Sequence, residues 1–181
     1  LYAGGIRNPC ATSYLNSTLQ FLLHFKPLTD LLSDSEYSKN YLVKVLYRLY
    51  IKIKETSNNI SADSLISYFQ IDPQYSSNVL NFISLLYSNL PTDFHQIIFL
   101  SDIISVENPI NIEDFTSNIP DNSILNTHKM IIFKVQTNSD TDQLIHLNSE
   151  DQIFINDDSY QLYGFIQRRG TQYHFIMHDS E

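Results

Sequence analysis

Near the start of the chain Leu15, Leu19, Leu22 and Leu23 recur at helical spacing, which predicts a buried helix with Thr12 as its N-cap. His24-Phe25-Lys26-Pro27 should stop it, because proline cannot continue a helix, and Leu28 to Leu32 reads as a further short turn. Tyr41 to Ile53 carries a stronger signal. Leu42, Val45, Leu46, Leu49 and Ile53 line one face and Lys44, Arg48 and Lys52 the other, so the basic stripe is read as a solvated face. Ala62 to Phe69 and Ser77 to Leu90 continue the helical pattern, with Leu65, Ile66, Phe69, Val79, Phe82, Ile83, Leu86 and Leu90 as core positions, and Pro73 to Ser76 as the break between them.

From Pro91 the pattern changes to period two and to short apolar runs, the signature of strands. The candidates are Phe94 to Ile104, Met130 to Gln136, Leu144 to Leu147, Gln152 to Ile155, Tyr160 to Gln167 and Gln172 to His178; Asn108 to Asn126 is an acidic, turn-rich link. Helices followed by strands predict an α+β arrangement: one domain over residues 1–181, with a helical lobe (1–90), an antiparallel sheet lobe (91–181) and the active groove between them. A chain of 181 residues suffices for such a core.

Charge and cysteine content narrow the function classes. A formal net charge of −9 argues against nucleic acid as the main ligand, because phosphate binding needs a cationic face. The single cysteine excludes an internal disulfide framework and a cysteine-rich zinc site, and no metal or cofactor is expected. No run reaches the roughly 18 apolar residues of a membrane span and no signal peptide is visible, so a cytosolic or nuclear protein is expected. The first residue is Leu1, and the chain is open to being a fragment of a longer one.

Candidate chemistry sits at the two ends. Ser13 falls in the first turn of the first helix, where unpaired backbone N–H groups and the positive end of the dipole stabilise an anion; the alternative is an ordinary cap serine. Tyr160 to Phe175 reads as a β-hairpin whose Arg168-Arg169-Gly170-Thr171 turn returns the chain so that His174 lies on the second strand, where a structural histidine is the alternative. His24, His95, His128, His146 and His178 form no spaced cluster and read as surface or packing residues.

The stretch Gly5 to Gln20 resembles the cysteine box of the ubiquitin-specific proteases, Gly-Leu-x-Asn-x-Gly-x-Thr-Cys-Tyr-x-Asn-Ser-x-Leu-Gln. It matches at Gly5, Asn8, Thr12, Tyr14, Asn16, Ser17, Leu19 and Gln20. Tyr160, Leu162, Gly164, Gly170 and His174 are similar to the histidine box of the same family. The resemblance implies a papain-like cysteine protease fold with a helical thumb and a sheet palm. Without Cys-x-x-Cys pairs, the zinc-bearing fingers would be reduced or absent. It implies a nucleophile at position 13, His174 as general base, Asn8 as the oxyanion-stabilising amide, and ubiquitin or a ubiquitin-like protein as partner.

Several positions depart from the family pattern. Ser13 replaces the cysteine, Cys10 the glycine of the box, and Tyr173 the glycine before the histidine, a change expected from the resemblance to narrow the channel for a ubiquitin tail. In the helix from Ser77, Asn78 and Asn81 stand where the family has acids that hold the arginine-containing tail of ubiquitin; the resemblance then implies a tail site whose amides still accept hydrogen bonds but bring no charge. For the group that orients the histidine, Asp157, Asp158, Asp179 and Glu181 are the nearby carboxylates, and none has the family's position. Three readings of Ser13 stay open: a Cys-to-Ser replacement in a working deubiquitinase, a natural pseudoprotease acting as a scaffold in a larger complex, and a displaced nucleophile at Cys10, which would lie in the preceding loop. With serine at position 13 the chain itself is expected to be inactive, since a hydroxyl is a far poorer nucleophile than a thiolate.

Overall fold

A computed structural model describes residues 5–8, 11–56, 59–75, 77–106, 128–137, 152–155, 158–161 and 163–177. Its elements run α1 (Ser13–Leu23), α2 (Lys26–Leu32), a 3-10 helix (Ser35–Lys39), α3 (Tyr41–Glu55), α4 (Asp63–Tyr68), α5 (Val79–Asn89), α6 (Thr92–Ile97), β1 (Ile98–Val106), β2 (Met130–Thr137), β3 (Gln152–Ile155), β4 (Asp158–Gln161), β5 (Gly164–Arg169) and β6 (Gln172–Met177). The mixture of helices and strands is the one read from the periodicities. The stretch expected as a strand from Phe94 begins instead as the end of α6, and the run from Tyr160 divides into β4 and β5. Leu144 to Leu147 lies outside the described residues.

The chain forms two compact units: Leu1–Phe94 with Gly164–Met177, and His95–Tyr163 with His178–Glu181. The boundary therefore differs from the one expected at residue 90. The histidine hairpin β5–β6 groups with the helices and not with the other strands.

In the first unit α1 is buried on nearly every side; Gln20 alone of its residues escapes full burial. Leu15 and Leu19 are 0% exposed. Tyr14 meets the ring of Phe82 from α5 edge-on at 5.8 Å, and Phe82 meets Phe69 at 6.0 Å. Burial raises the Tyr14 phenol above its ordinary value, because an apolar setting disfavours the phenolate. Asn40 and Asn78 start α3 and α5, their Oδ1 atoms accepting from the N–H groups of Val43 at 3.1 Å and Asn81 at 2.8 Å. Thr12 precedes α1 but makes no such cap. Its hydroxyl is used elsewhere.

Tyr37 of the 3-10 helix donates to the Asp93 carboxylate and packs edge-on against Phe94 at 5.3 Å. The hydrogen bond to Asp93, followed by desolvation and the charges of Asp93, Glu36 and Asp34, pushes its pKa up to about 12. Since the folded value lies above the ordinary 10.0, whatever the contact contributes is fully present below pH 10 and is lost as pH rises through about 12. An ultraviolet titration of Tyr37→Phe against the unsubstituted protein should therefore show the missing phenol ionising near pH 12. A missing phenol titrating near pH 10 would contradict the contact.

In the second unit β1 and β2 pair in parallel, with a register shift between Leu100 and Ile103. Ser101 repairs the ladder there. Its buried hydroxyl donates to the Asp102 carbonyl at 2.7 Å and accepts from the Lys134 N–H at 3.0 Å. The all-antiparallel expectation fails at this pair, while β3–β4 and β5–β6 are antiparallel. Residues 107–129 separate the two strands, enough chain for the crossover that a parallel pair requires. Among the described residues the strands form three two-stranded sheets.

Candidate functional site

The approach to α1 is held as a short extended segment. Ile6 bridges Ile60 in parallel, the Arg7 N–H donates to the Ile60 carbonyl at 2.7 Å, and the Ile60 N–H donates to the Gly5 carbonyl at 2.9 Å. Asn16, one turn into the helix, donates from Nδ2 to the Arg7 carbonyl at 3.0 Å. The entry of the chain into α1 is thereby fixed from both sides.

This frame places Asn8 beside the helix start. Thr12 Oγ1 donates to Asn8 Oδ1 at 3.0 Å. With the carbonyl end of the amide engaged, the NH₂ end is left as the donor, which is the end an oxyanion needs. Asn8 is itself exposed, so that donor is open to an incoming group.

Ser13 opens α1 and is 7% exposed. Its Oγ accepts the backbone N–H of Tyr173 at 3.2 Å, across 160 positions of sequence. Four residues further along the helix, Ser17 Oγ donates to the Tyr173 carbonyl at 2.8 Å. Tyr173 lies opposite Arg168 in the hairpin, and its N–H and C=O turn outward from the ladder, where edge-strand groups would otherwise lack partners. The two serines satisfy both. Further along, the Phe175 ring meets Phe21 edge-on at 5.5 Å and lies 6.0 Å from His24, so α1 follows the β6 edge for three turns.

The hairpin is shaped for this contact. Its two-residue loop opens on Gly170 at φ +60°, a conformation that favours glycine. At Gly164 an added Cβ would stand 2.7 Å from the Ile176 carbonyl oxygen and 2.9 Å from the Phe175 ring, so only glycine fits the backbone so close to β6.

His174 follows Tyr173 and pairs with Gln167. Strand alternation puts its side chain on the face opposite Tyr173 and Phe175, and it is exposed. Among the described residues no hydrogen bond joins His174 to Ser13. The structure thus brings position 13 to the backbone neighbour of the histidine rather than to the imidazole itself. Cys10, Asp157, Asp179 and Glu181 lie outside the described residues; Asp158 pairs with Ile155 in the second unit. Asn78 spends its side-chain oxygen on capping α5.

Sequence reasoning missed Ser17, whose signal was its spacing of four from Ser13 on a helix face that the leucine pattern assigns to solvent. It also missed the tie of Asn16 to the Arg7 carbonyl. Among the described residues no group of three His, Cys, Asp or Glu side chains is placed to hold a metal ion, and no helix is long and apolar enough to cross a membrane.

A comparison with protein-family models matches residues 4–142 to the ubiquitin carboxyl-terminal hydrolase family. No curated protein gave a match.

Proposed function

Because the chain belongs to the ubiquitin carboxyl-terminal hydrolase family, we propose that it is a deubiquitinase-like domain with position 13 as its nucleophile, His174 as its general base and Asn8 as an oxyanion donor. The observation that carries the reading is the 3.2 Å hydrogen bond from the Tyr173 N–H to Ser13 Oγ, which joins the two sequence boxes. Family membership rests on residues that end before the histidine hairpin, so this contact is independent support for bringing the strand that carries His174 to position 13.

With a thiol at position 13, the sulfur would attack the carbonyl carbon of the ubiquitin C-terminal isopeptide bond. His174 would take up the thiol proton and return it to the departing lysine amine, leaving an acyl-enzyme that water then hydrolyses. The Asn8 amide and the free N–H groups of the first turn of α1 would hold the negative oxygen of each tetrahedral intermediate. The papain-like division into thumb and palm, a minimal fingerless domain and a cytosolic or nuclear setting belong to the same proposal. A ubiquitin-like modifier in place of ubiquitin fits it equally.

A second reading, a pseudoprotease that binds partners in a larger complex, draws on specific features. Serine occupies position 13, His174 is exposed, and Asn78 and Asn81 carry no charge for a basic tail. Ser13→Cys separates the two. The folded variant should cleave a fluorogenic ubiquitin conjugate and be labelled by a ubiquitin-derived electrophilic probe, whereas the unsubstituted chain should do neither. No cleavage and no labelling by the folded variant would leave the scaffold reading.

A further inference from the structure

We propose that the backbone N–H of Tyr173 is the donor that holds negative charge on the side chain at position 13, and that Ser17 is the residue that positions this donor. The inference rests on reading position 13 as the nucleophile, and it adds a fixed strand-edge donor to the imidazole base.

The geometry is that of a prepared anion site. The Tyr173 N–H points away from its own ladder and ends 3.2 Å from Ser13 Oγ. It cannot turn away cheaply, because Tyr173 lies inside the Gly164–Met177 register and its carbonyl is held by Ser17 at 2.8 Å. A donor fixed in advance does not have to reorient when charge appears. A hydrogen bond to a charged acceptor is roughly twice as strong as one between neutral groups, so the contact favours the ionised form of whatever nucleophile stands there. The start of the 11-residue α1 adds its dipole in the same sense. The His174 imidazole makes no hydrogen bond among the described residues and lies on the other face of the ribbon, so the Tyr173 N–H acts on position 13 as a separate group beside the base. The proton released on ionisation goes to His174 in the proposed reaction and to buffer in the alkylation test.

Burial opposes this. Position 13 is 7% exposed, and an apolar setting raises a thiol above its ordinary value. The two effects predict opposite signs, which makes the measurement decisive.

The test uses the full chain with Ser13→Cys and Cys10→Ser, so that the sole thiol stands at position 13. Its titration is followed by ultraviolet thiolate absorbance and by the pH dependence of iodoacetamide alkylation. The midpoint should fall at least about one pH unit below the ordinary value of about 8.5. It should move upward with Ser17→Ala, whether or not His174→Ala is also present. Ser17→Thr, which keeps the hydroxyl, should restore it, and serves as the second variant should Ser17→Ala fail to fold. A midpoint at or above about 8.5 overturns the proposal, as does the same midpoint with and without the Ser17 hydroxyl. Failure of the same protein to cleave ubiquitin, with the low midpoint intact, would count against the enzymatic reading alone.

Discussion

In a Ser13→Cys background, His174→Ala should lower ubiquitin cleavage by about 10²–10⁴-fold, the usual contribution of a positioned general acid and base. The loss should be far larger in cleavage than in alkylation, because only cleavage needs a proton delivered to a leaving amine. An imidazole has two tasks in acyl transfer, removing a proton from the nucleophile and delivering one to the leaving amine. The Tyr173 N–H already favours an ionised group at position 13, but no backbone N–H can deliver a proton to a lysine leaving group. Only a titrating side chain can, and His174 is one residue from the contact. Its side chain is exposed on the far face of β6, so acting as that acid would require the imidazole to come round toward substrate in the Michaelis complex. Steady-state cleavage of a ubiquitin conjugate, measured beside iodoacetamide alkylation of the same two proteins, reads the two tasks separately. Equal cleavage with and without His174 would remove it from the chemistry. Parallel loss of cleavage and alkylation would mean that its work is confined to ionising the nucleophile.

The leucine spacing of α1 was legible because it obeys the one rule that sequence displays directly, the 3.6-residue period of an apolar face. What the period hid was that the opposite face is buried too. Asn16, Ser17 and Thr18 are the residue types of a solvated face, yet each has a private partner: the Arg7 carbonyl, the Tyr173 carbonyl and the helix's own Tyr14 carbonyl. Polar letters do not reveal whether water or a distant backbone will satisfy them. Thr12 shows the same limit, since it has the composition of an N-cap but gives its hydroxyl to Asn8.

The strands were less legible for a related reason. Apolar runs locate strands but carry no direction, so the parallel pairing of β1 with β2 could not be read from Met130 to Gln136 alone. Nor could the grouping of β5–β6 with the helices, which depends on two hydroxyls of α1 reaching one strand edge. The two chemical boxes, by contrast, were visible because they pair uncommon residue types with fixed spacing. The structure joins them at Tyr173, a position where the box pattern has glycine.

Leu15→Ala should destabilise the first unit by about 2–5 kcal/mol, the range for removing a buried leucine side chain. The upper part of the range applies here because the site has little freedom to collapse. Leu15 is 0% exposed and sits on a helix pinned at Asn16 to the Arg7 carbonyl and at Ser13 and Ser17 to β6. Backbone held by such bonds cannot close over the lost methyl groups, so the cavity term remains in full beside the transfer term. For a chain of this size the cost corresponds to a fall in Tm of roughly 5–15 °C, measurable by circular dichroism or calorimetry. Leu85→Ala is the matched control, because Leu85 is 41% exposed and its truncation should change little. Near-equal melting of the two variants would mean that α1 is not the element on which the first unit is packed. In that case the serine clamp would be docking a hairpin onto a helix that itself lacks a fixed place.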